Sequence, residues 1–568
     1  MSRSLLLLLA LAGCDAEPPA SAPPSGDDTA SGVGGDTGPH GRDTADSGAP
    51  LPTASLVPLT GPRLLRRASL DLRGVLPTVA ELDQADSQAD AWRALAVGYY
   101  ADPRFEGRLA RLLGERWWTR VDVFDIVYQD YNLLPHQETP FERGVGEEPL
   151  RLMARVVADD QPWSTVVTAD WTMAHHLTAS LWPMEYPAGA TGWQVARYTD
   201  GRPAAGVLST NGLWWRYTTT ESNMNRGRAA AISKLLLCED PLDRVISFSD
   251  SDDAAADPED AVHSDPGCLS CHASIDPLAA SLFGFWWLSM YSRVEEQQYH
   301  PEREALAEDW IGYEPAWFGE PMTGLADLGA KVAGDPRTYT CAVETFAGLL
   351  WRRPVVAEDL ETVLALRETF LAAEARPQAL LTAILDTPEY QAGAVLDDTD
   401  GRAEARERTA RMVSPDQLST LLQDVTGFTW TWNDVPLMDT DPTGYRVLGG
   451  GVDGLSVTEP QTRPNLPWAI LVERVSWLAA DRMVRDALEF GGGHPMLPGL
   501  NLDHHPGDQA WEASLERTWW RMTGTRLEEA DRDALAELFD AATATRDTAH
   551  GWRVVLSVIF RDPLVVSY

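Results

Sequence analysis

The chain reads as a mainly α, multi-domain helical protein with minor β content, and three observations predict it. At 568 residues it is too long for one hydrophobic core and should divide into several domains. Apolar residues recur at helical spacing between breaks that carry Pro and Gly. Only Gly206 to Thr219, with β-branched residues and two tryptophans, reads as a short strand or hairpin.

In chain order, the spacing predicts helices over Pro62–Arg73, Ala80–Tyr100, Phe105–Trp118 and Arg226–Leu237. Pro277–Tyr291 follows, with Leu278, Leu282, Phe285 and Leu288 as its apolar stripe. Further helices fall at Cys341–Trp351, Ala357–Ala373, Pro415–Val425, Leu466–Leu488 and Glu528–Ala542. A weak internal repeat joins two of these regions. Leu350-Trp351-Arg352-Arg353 leads through Glu358-Asp359-Leu360 to Thr387-Pro388-Glu389-Tyr390, and Trp519-Trp520-Arg521 leads through Glu528-Glu529 to Asp562-Pro563-Leu564. This suggests a duplicated helical module, with coincidental amphipathic patterning as the alternative.

The first residues read as an address. A basic start, the run Leu5–Leu9 and small residues form a secretory signal, and Leu11-Ala12-Gly13-Cys14 resembles the bacterial lipobox. Cys14 is then the lipidated first residue of the mature chain; the plainer reading is an ordinary signal with an incidental cysteine. From Asp15 to Pro52 the chain has almost no large apolar residue and should be a disordered tether. The expected domains are therefore a signal (1–13), lipidated cysteine and tether (14–55), an N-terminal helical domain (56–225), residues 226–395, and a C-terminal helical domain (396–568).

A net charge of -39 repels nucleic acid and anionic headgroups, which sets nucleic-acid binding aside. Such a surface is either simply well solvated or docks a basic partner. Tryptophan pairs at Trp117-Trp118, Trp214-Trp215, Trp286-Trp287 and Trp519-Trp520 suit the edges of broad buried helix faces.

Five cysteines remain to be assigned. Cys268-Leu269-Ser270-Cys271-His272 is the C-x-x-C-H pattern of c-type haem attachment. Each thiol adds to one vinyl group, and His272 supplies a nitrogen to iron. Zinc would need further ligands, and a thioredoxin-like site would need a βαβ context. Cys238 and Cys341 are left as a disulfide around the motif or as two separate thiols. For a sixth iron ligand, Met322 lies in the loop-like Phe318–Gly324, while Met290 falls on the far end of its helix and reads as core. Otherwise the iron is five-coordinate or takes His300 or His263.

Three stretches resemble planctomycete-type cytochrome c proteins. Arg63 to Gly74 with Pro103-Arg104-Phe105 looks like their N-terminal domain. Arg226-Gly227 to Cys238, then Cys268 to Gly284 with Ile275-Asp276-Pro277-Leu278, looks like their haem-motif domain; Gly324 to Arg353 looks like the helical domain that follows. The resemblance implies an exported, helical, single-haem protein held by Cys268, Cys271 and His272, and little about a substrate. Ala279 stands where those relatives tend to have glycine.

Other patterns carry less. The acidic residues Asp250 to Asp260 read as a solvated loop before a Ca²⁺ site. Asp439 to Gly444 lacks the closing glutamate of a calcium loop. Gly449-Gly450-Gly451 lacks the lysine of a phosphate loop, and the adjacent pairs His175-His176 and His504-His505 do not share a helix face as ligands would. The expectation is a lipid-anchored monohaem electron carrier at the cell envelope with an unidentified redox partner. Its rivals are a peroxidase-like haem enzyme with an open distal site, and an envelope polymer- or protein-binding lipoprotein whose haem is structural.

Overall fold

Two pairs of chain segments bracket the molecule into halves. β1 (Ser55–Pro58) runs antiparallel to β7 (Ala392–Leu396), with Ser55 opposite Leu396. Farther along, the Arg411 and Val413 N–H groups donate to Tyr568 and Val566, and Met412 bridges Ser567. These are features of a computed structural model, which describes residues 55–122, 124, 131–243, 258–285, 297–396, 404, 407–441 and 444–568. Helix outweighs strand 61% to 6%, so the mainly α class holds. Cys14, the tether, Met290, Trp286-Trp287 and Asp250–Asp257 lie outside the described residues.

The first half opens with α1 (Gly61–Leu72), α2 (Val79–Ser87), α3 (Ala91–Gly98), α4 (Arg104–Trp117) and α5 (Glu138–Ala158). Pro62 suits the first turn of α1, where its missing N–H costs nothing, and Thr78 with Glu81 forms a capping box that starts α2. A three-stranded antiparallel sheet follows, β2 (Thr172–His175), β3 (Met184–Glu185) and β4 (Trp193–Tyr198), with β4 in the middle. Next come α6 (Asn211–Arg216), α7 (Arg226–Leu236), α8 (Pro258–Ser264) and α9 (Pro266–Ala280). A hairpin of β5 (Ala316–Trp317) and β6 (Glu320–Pro321) precedes α10 (Leu325–Gly334), α11 (Pro336–Trp351), α12 (Leu360–Ala372), α13 (Pro377–Leu385) and α14 (Pro388–Gln391).

The second half is shorter. It has α15 (Pro415–Thr426), started by a Ser414–Gln417 capping box, then α16 (Leu466–Val484), which ends in a π-turn. α17 (Gln509–Thr523), α18 (Glu529–Thr545), α19 (Thr548–Phe560) and α20 (Pro563–Val566) complete it. Both α11 to α14 and α17 to α20 run as three longer helices followed by a one-turn helix that starts at a proline.

Each half has its own large core, and α1 serves both; the first half adds a smaller cluster around Phe124, Tyr131, Phe141 and Trp182. Leu64, Leu65, Ala68 and Leu72 enter the first core, which runs without interruption past residue 225 to Tyr390; Leu70 enters the second. Two buried arginines fasten the joint. Arg66 donates to the carbonyls of Met522, Val565 and Ser567, while Arg67 donates to those of Tyr390, Ala392 and Thr409. Between them, Asp71 accepts from the hydroxyls of Tyr390 (3.1 Å) and Tyr568 (2.7 Å), one from the end of each half.

Three expected elements differ. Ala80–Tyr100 is two helices, because residues 86–90 are all exposed and the Ser87 hydroxyl turns back on the Gln84 carbonyl. Gly206–Thr219 is a 3-10 turn and α6, not a strand. A Cβ on Gly212 would lie 1.9 Å from the Val145 carbonyl oxygen, so α6 rides directly on the α5 backbone and packing overrides the β-branched composition. The helix expected from Pro277 begins instead at Pro266, with Pro277 inside it.

Candidate functional site

α9 carries the C-x-x-C-H motif on its first turns. Asp265 caps it, Oδ1 accepting from the N–H groups of Gly267 (2.7 Å) and Cys268 (3.2 Å), and Pro266 occupies the position where no donor is needed. At 3.6 residues per turn, Cys268, His272 and Asp276 form one row along the helix, and Cys271 and Ile275 the adjacent row. The second row faces the core: Cys271 is 7% exposed and its thiol donates to the Pro241 carbonyl at 3.7 Å. Both motif cysteines are free thiols, with Cys268 only half-buried.

The histidine is held from one side. His272 Nδ1 lies 3.0 Å from Asp276 Oδ1, and Arg226 of α7 grips the same carboxylate through Nε (2.8 Å) and Nη2 (3.0 Å). Burial by itself would raise the Asp276 pKa, but hydrogen bonds from His272 and Arg226 outweigh it and hold the group below its ordinary value. An ionised Asp276 puts the imidazole proton on Nδ1. In the neutral ring the lone pair then falls on Nε2, which has no partner among the described residues; the ring is one-quarter exposed.

Two free thiols three positions apart and an imidazole with a fixed tautomer are the donor set that a c-type haem requires, so the residues present fit that group. They fit zinc poorly: among the described residues no three His, Cys, Asp or Glu side chains come together as a metal site. Nor does a strand lead into α9, as a thioredoxin-like motif would need.

The sixth-ligand candidates separate clearly. Met322 follows β6, is 7% exposed and packs in the core that also buries Cys271 and Ile275, so its thioether already has apolar neighbours. Both ring nitrogens of His300 are engaged, Nδ1 with Glu302 (3.1 Å) and Nε2 with the Gln297 carbonyl (3.2 Å). His263, exposed on α8, stacks on Tyr313 at 5.2 Å. Burial, and then the charge of Asp276, raise the Tyr313 pKa, which places this ring pair within electrostatic reach of the His272 partner.

Sequence reasoning placed Arg226 and Asp276 in the stretches that carry the resemblance but gave them no role, and it missed Tyr313. The four-residue step from His272 to Asp276 was a usable signal; the pairing of Asp276 with Arg226, 50 positions upstream, had no local one. The set-aside histidines have structural partners: the His175 and His176 rings meet at a tilt, centroids 4.2 Å apart, the His176 ring accepts from Gly192 N–H, and the His504 ring accepts from Asn501 N–H.

Cys238 and Cys341 form a disulfide, Cα atoms 5.2 Å apart, that closes the loop containing the motif. Disulfides persist in oxidising compartments, which points to an extracytoplasmic location. Among the described residues no helix is long and apolar enough to cross a membrane. Compared with known protein families, with curated proteins and with solved structures, the chain matches none.

Proposed function

We propose that this chain is an exported monohaem c-type cytochrome-like protein, lipid-anchored at Cys14, that transfers electrons at the cell envelope. The observation that carries the reading is the His272–Asp276–Arg226 relay behind a free Cys268 and Cys271 on one capped helix. The resemblance to planctomycete-type cytochrome c proteins and the extracytoplasmic disulfide support it. A bound haem c would supply one-electron chemistry at its iron. Cys268 and Cys271 would hold it through thioethers, and His272 Nε2 would ligate it. Asp276 keeps the Nδ1 proton in place, and Arg226 keeps Asp276 ionised and aimed. The acidic surface suits a basic redox partner arriving under electrostatic attraction.

One observation favours a second reading, a haem enzyme with an open distal side. A carboxylate rather than a neutral carbonyl on Nδ1 makes the imidazole a more basic ligand, which favours chemistry at the metal over simple transfer. Spin state separates the two: low-spin, six-coordinate iron for transfer, high-spin, five-coordinate iron for the enzyme.

The test is expression with a cytochrome c maturation system and a pyridine haemochrome assay. We expect one covalent haem per chain, and none in C268A/C271A. Absence of covalent haem in the unaltered chain overturns both readings.

A further inference from the structure

A cleft of about 500 Å³ opens where the two halves meet, between the end of α4, the end of α11, Arg408–Met412 and Thr458–Thr462. In a chain of net charge -39, its walls carry five arginines: Arg116, Arg352, Arg353, Arg408 and Arg411. Among the described residues three carboxylates line it, on Glu115, Glu344 and Glu459. Three of the arginines are spoken for. Arg352 pairs with Glu115 at 2.6 Å, Arg353 with Asp359 at 2.6 Å and Glu407 at 3.2 Å, and Arg411 with Asp71 at 3.6 Å.

Arg116 and Arg408 are not. Arg116 donates to the Lys234 carbonyl (3.0 Å) and weakly to Cys238 Sγ, and Arg408 to the Arg352 carbonyl (3.2 Å); among the described residues neither has a carboxylate within ion-pair distance. Each guanidinium has five N–H donors, so most of theirs are left for something else. Burial lowers the pKa of both, and the neighbouring Arg352 and Arg353 add to this at Arg408 against the pull of Glu459.

The backbone here is unusual as well. Trp118 (φ 53°), Cys238 (φ 55°), Arg352 (φ 58°) and Arg408 (φ 49°) all line the cleft in the left-handed region. Glycine would take that conformation without strain, and it commonly follows a helix end, as Trp118 and Arg352 do here. Non-glycine side chains at four such positions around one cavity fit a site that uses them.

We propose that this cleft binds a small organic acid, its carboxylates gripped by Arg116 and Arg408 and its apolar body resting on Leu349, Val355 and Met412. Arginine suits the task because its planar fork matches a carboxylate in two parallel hydrogen bonds. The volume lies in the range of small-molecule sites, and the overall charge repels nucleic acids and other polyanions. The site is independent of the haem reading.

Titration calorimetry of the full chain with phthalate, at constant ionic strength in chloride, tests it. We expect saturable binding of one phthalate per chain. R116Q and R408Q should each weaken it tenfold or more, and R408K by less, since the charge stays and the fork goes. E344Q, which removes a carboxylate facing Arg116, should tighten binding severalfold, a gain that misfolding cannot produce. R482Q, on an exposed α16 pair with Asp486, should change nothing. Absence of saturable binding, or equal affinity in R116Q and R408Q, overturns the site. Inorganic phosphate binding as tightly as phthalate overturns the organic-acid assignment.

Discussion

The two halves of the molecule share a frame and differ in what is hung on it. Each begins with an extended segment, enters a helix with proline in its first turn, and ends in three helices, a one-turn proline-led helix and an extended segment that pairs back to the start, as a strand in the first half and a single bridge in the second. Thr387 caps α14 in the first half, and Asp562 caps α20 in the second. Between these shared ends the first half carries everything from α2 to α10, including Cys238, Cys268 and Cys271. Cys341 sits on the frame helix α11, so the disulfide staples the inserted region to the frame; its counterpart α17 has no cysteine. The comparison teaches that the C-x-x-C-H motif and the helices around it lie in what the first half carries beyond the frame the two halves share.

The strongest way to break that comparison is to remove the staple. C238A/C341A frees a loop of about 100 residues and should destabilise the first half by roughly 4–5 kcal/mol on a chain-entropy basis. Hydrogen exchange read peptide by peptide should show the loss between residues 55 and 396, with 411–568 unchanged. Equal loss in both would mean that the halves unfold as one.

Next is the joint. Arg66→Met leaves the carbonyls of Met522, Val565 and Ser567 without their donor and should cost about 3 kcal/mol, as buried groups lose their hydrogen bonds. Exchange should rise first at the closing segment Val565–Ser567, and urea unfolding should split into two transitions.

The smallest effect is acidic. Burial opposes ionisation of Asp416, but Arg108 and Arg111 of α4 override it and hold its pKa at about 2. Asp439 is lowered in the same way by Arg111, Arg120 and Arg143. A depressed carboxylate stabilises the fold above its ordinary pKa of 3.8, and the benefit is lost as pH falls from there toward about 2. These pairs join the halves, so acid should loosen the junction before either core. D416N should lose on the order of 2 kcal/mol at neutral pH and flatten the stability profile between pH 4 and 2, measured by urea midpoints.

Much of this frame was legible in the sequence, because long amphipathic helices carry their own periodicity and Pro–Gly punctuation. The capped starts at Thr78 and Ser414 are local signals too. The closing strands were not legible: β1 is four residues long and its partner lies hundreds of positions away, so no local pattern announces the pairing. Arg66 and Arg67 mislead in the other direction, since arginine is rarely buried and only distant carbonyls explain them. At the site, the C-x-x-C-H spacing marks Cys268, Cys271 and His272 directly. Arg226 and Tyr313 become visible only when the chain is folded, because their contribution is made across elements.

The pairing of Ser55 with Leu396 also sets a timetable. At roughly 5–20 residues per second of synthesis, β1 waits on the order of tens of seconds for the strand that closes its half. Cys268 and Cys271 appear during that wait, and roughly 6–25 s more pass before β7 follows them. During synthesis those two sulfurs therefore stand on an unfinished scaffold, with the last wall not yet made.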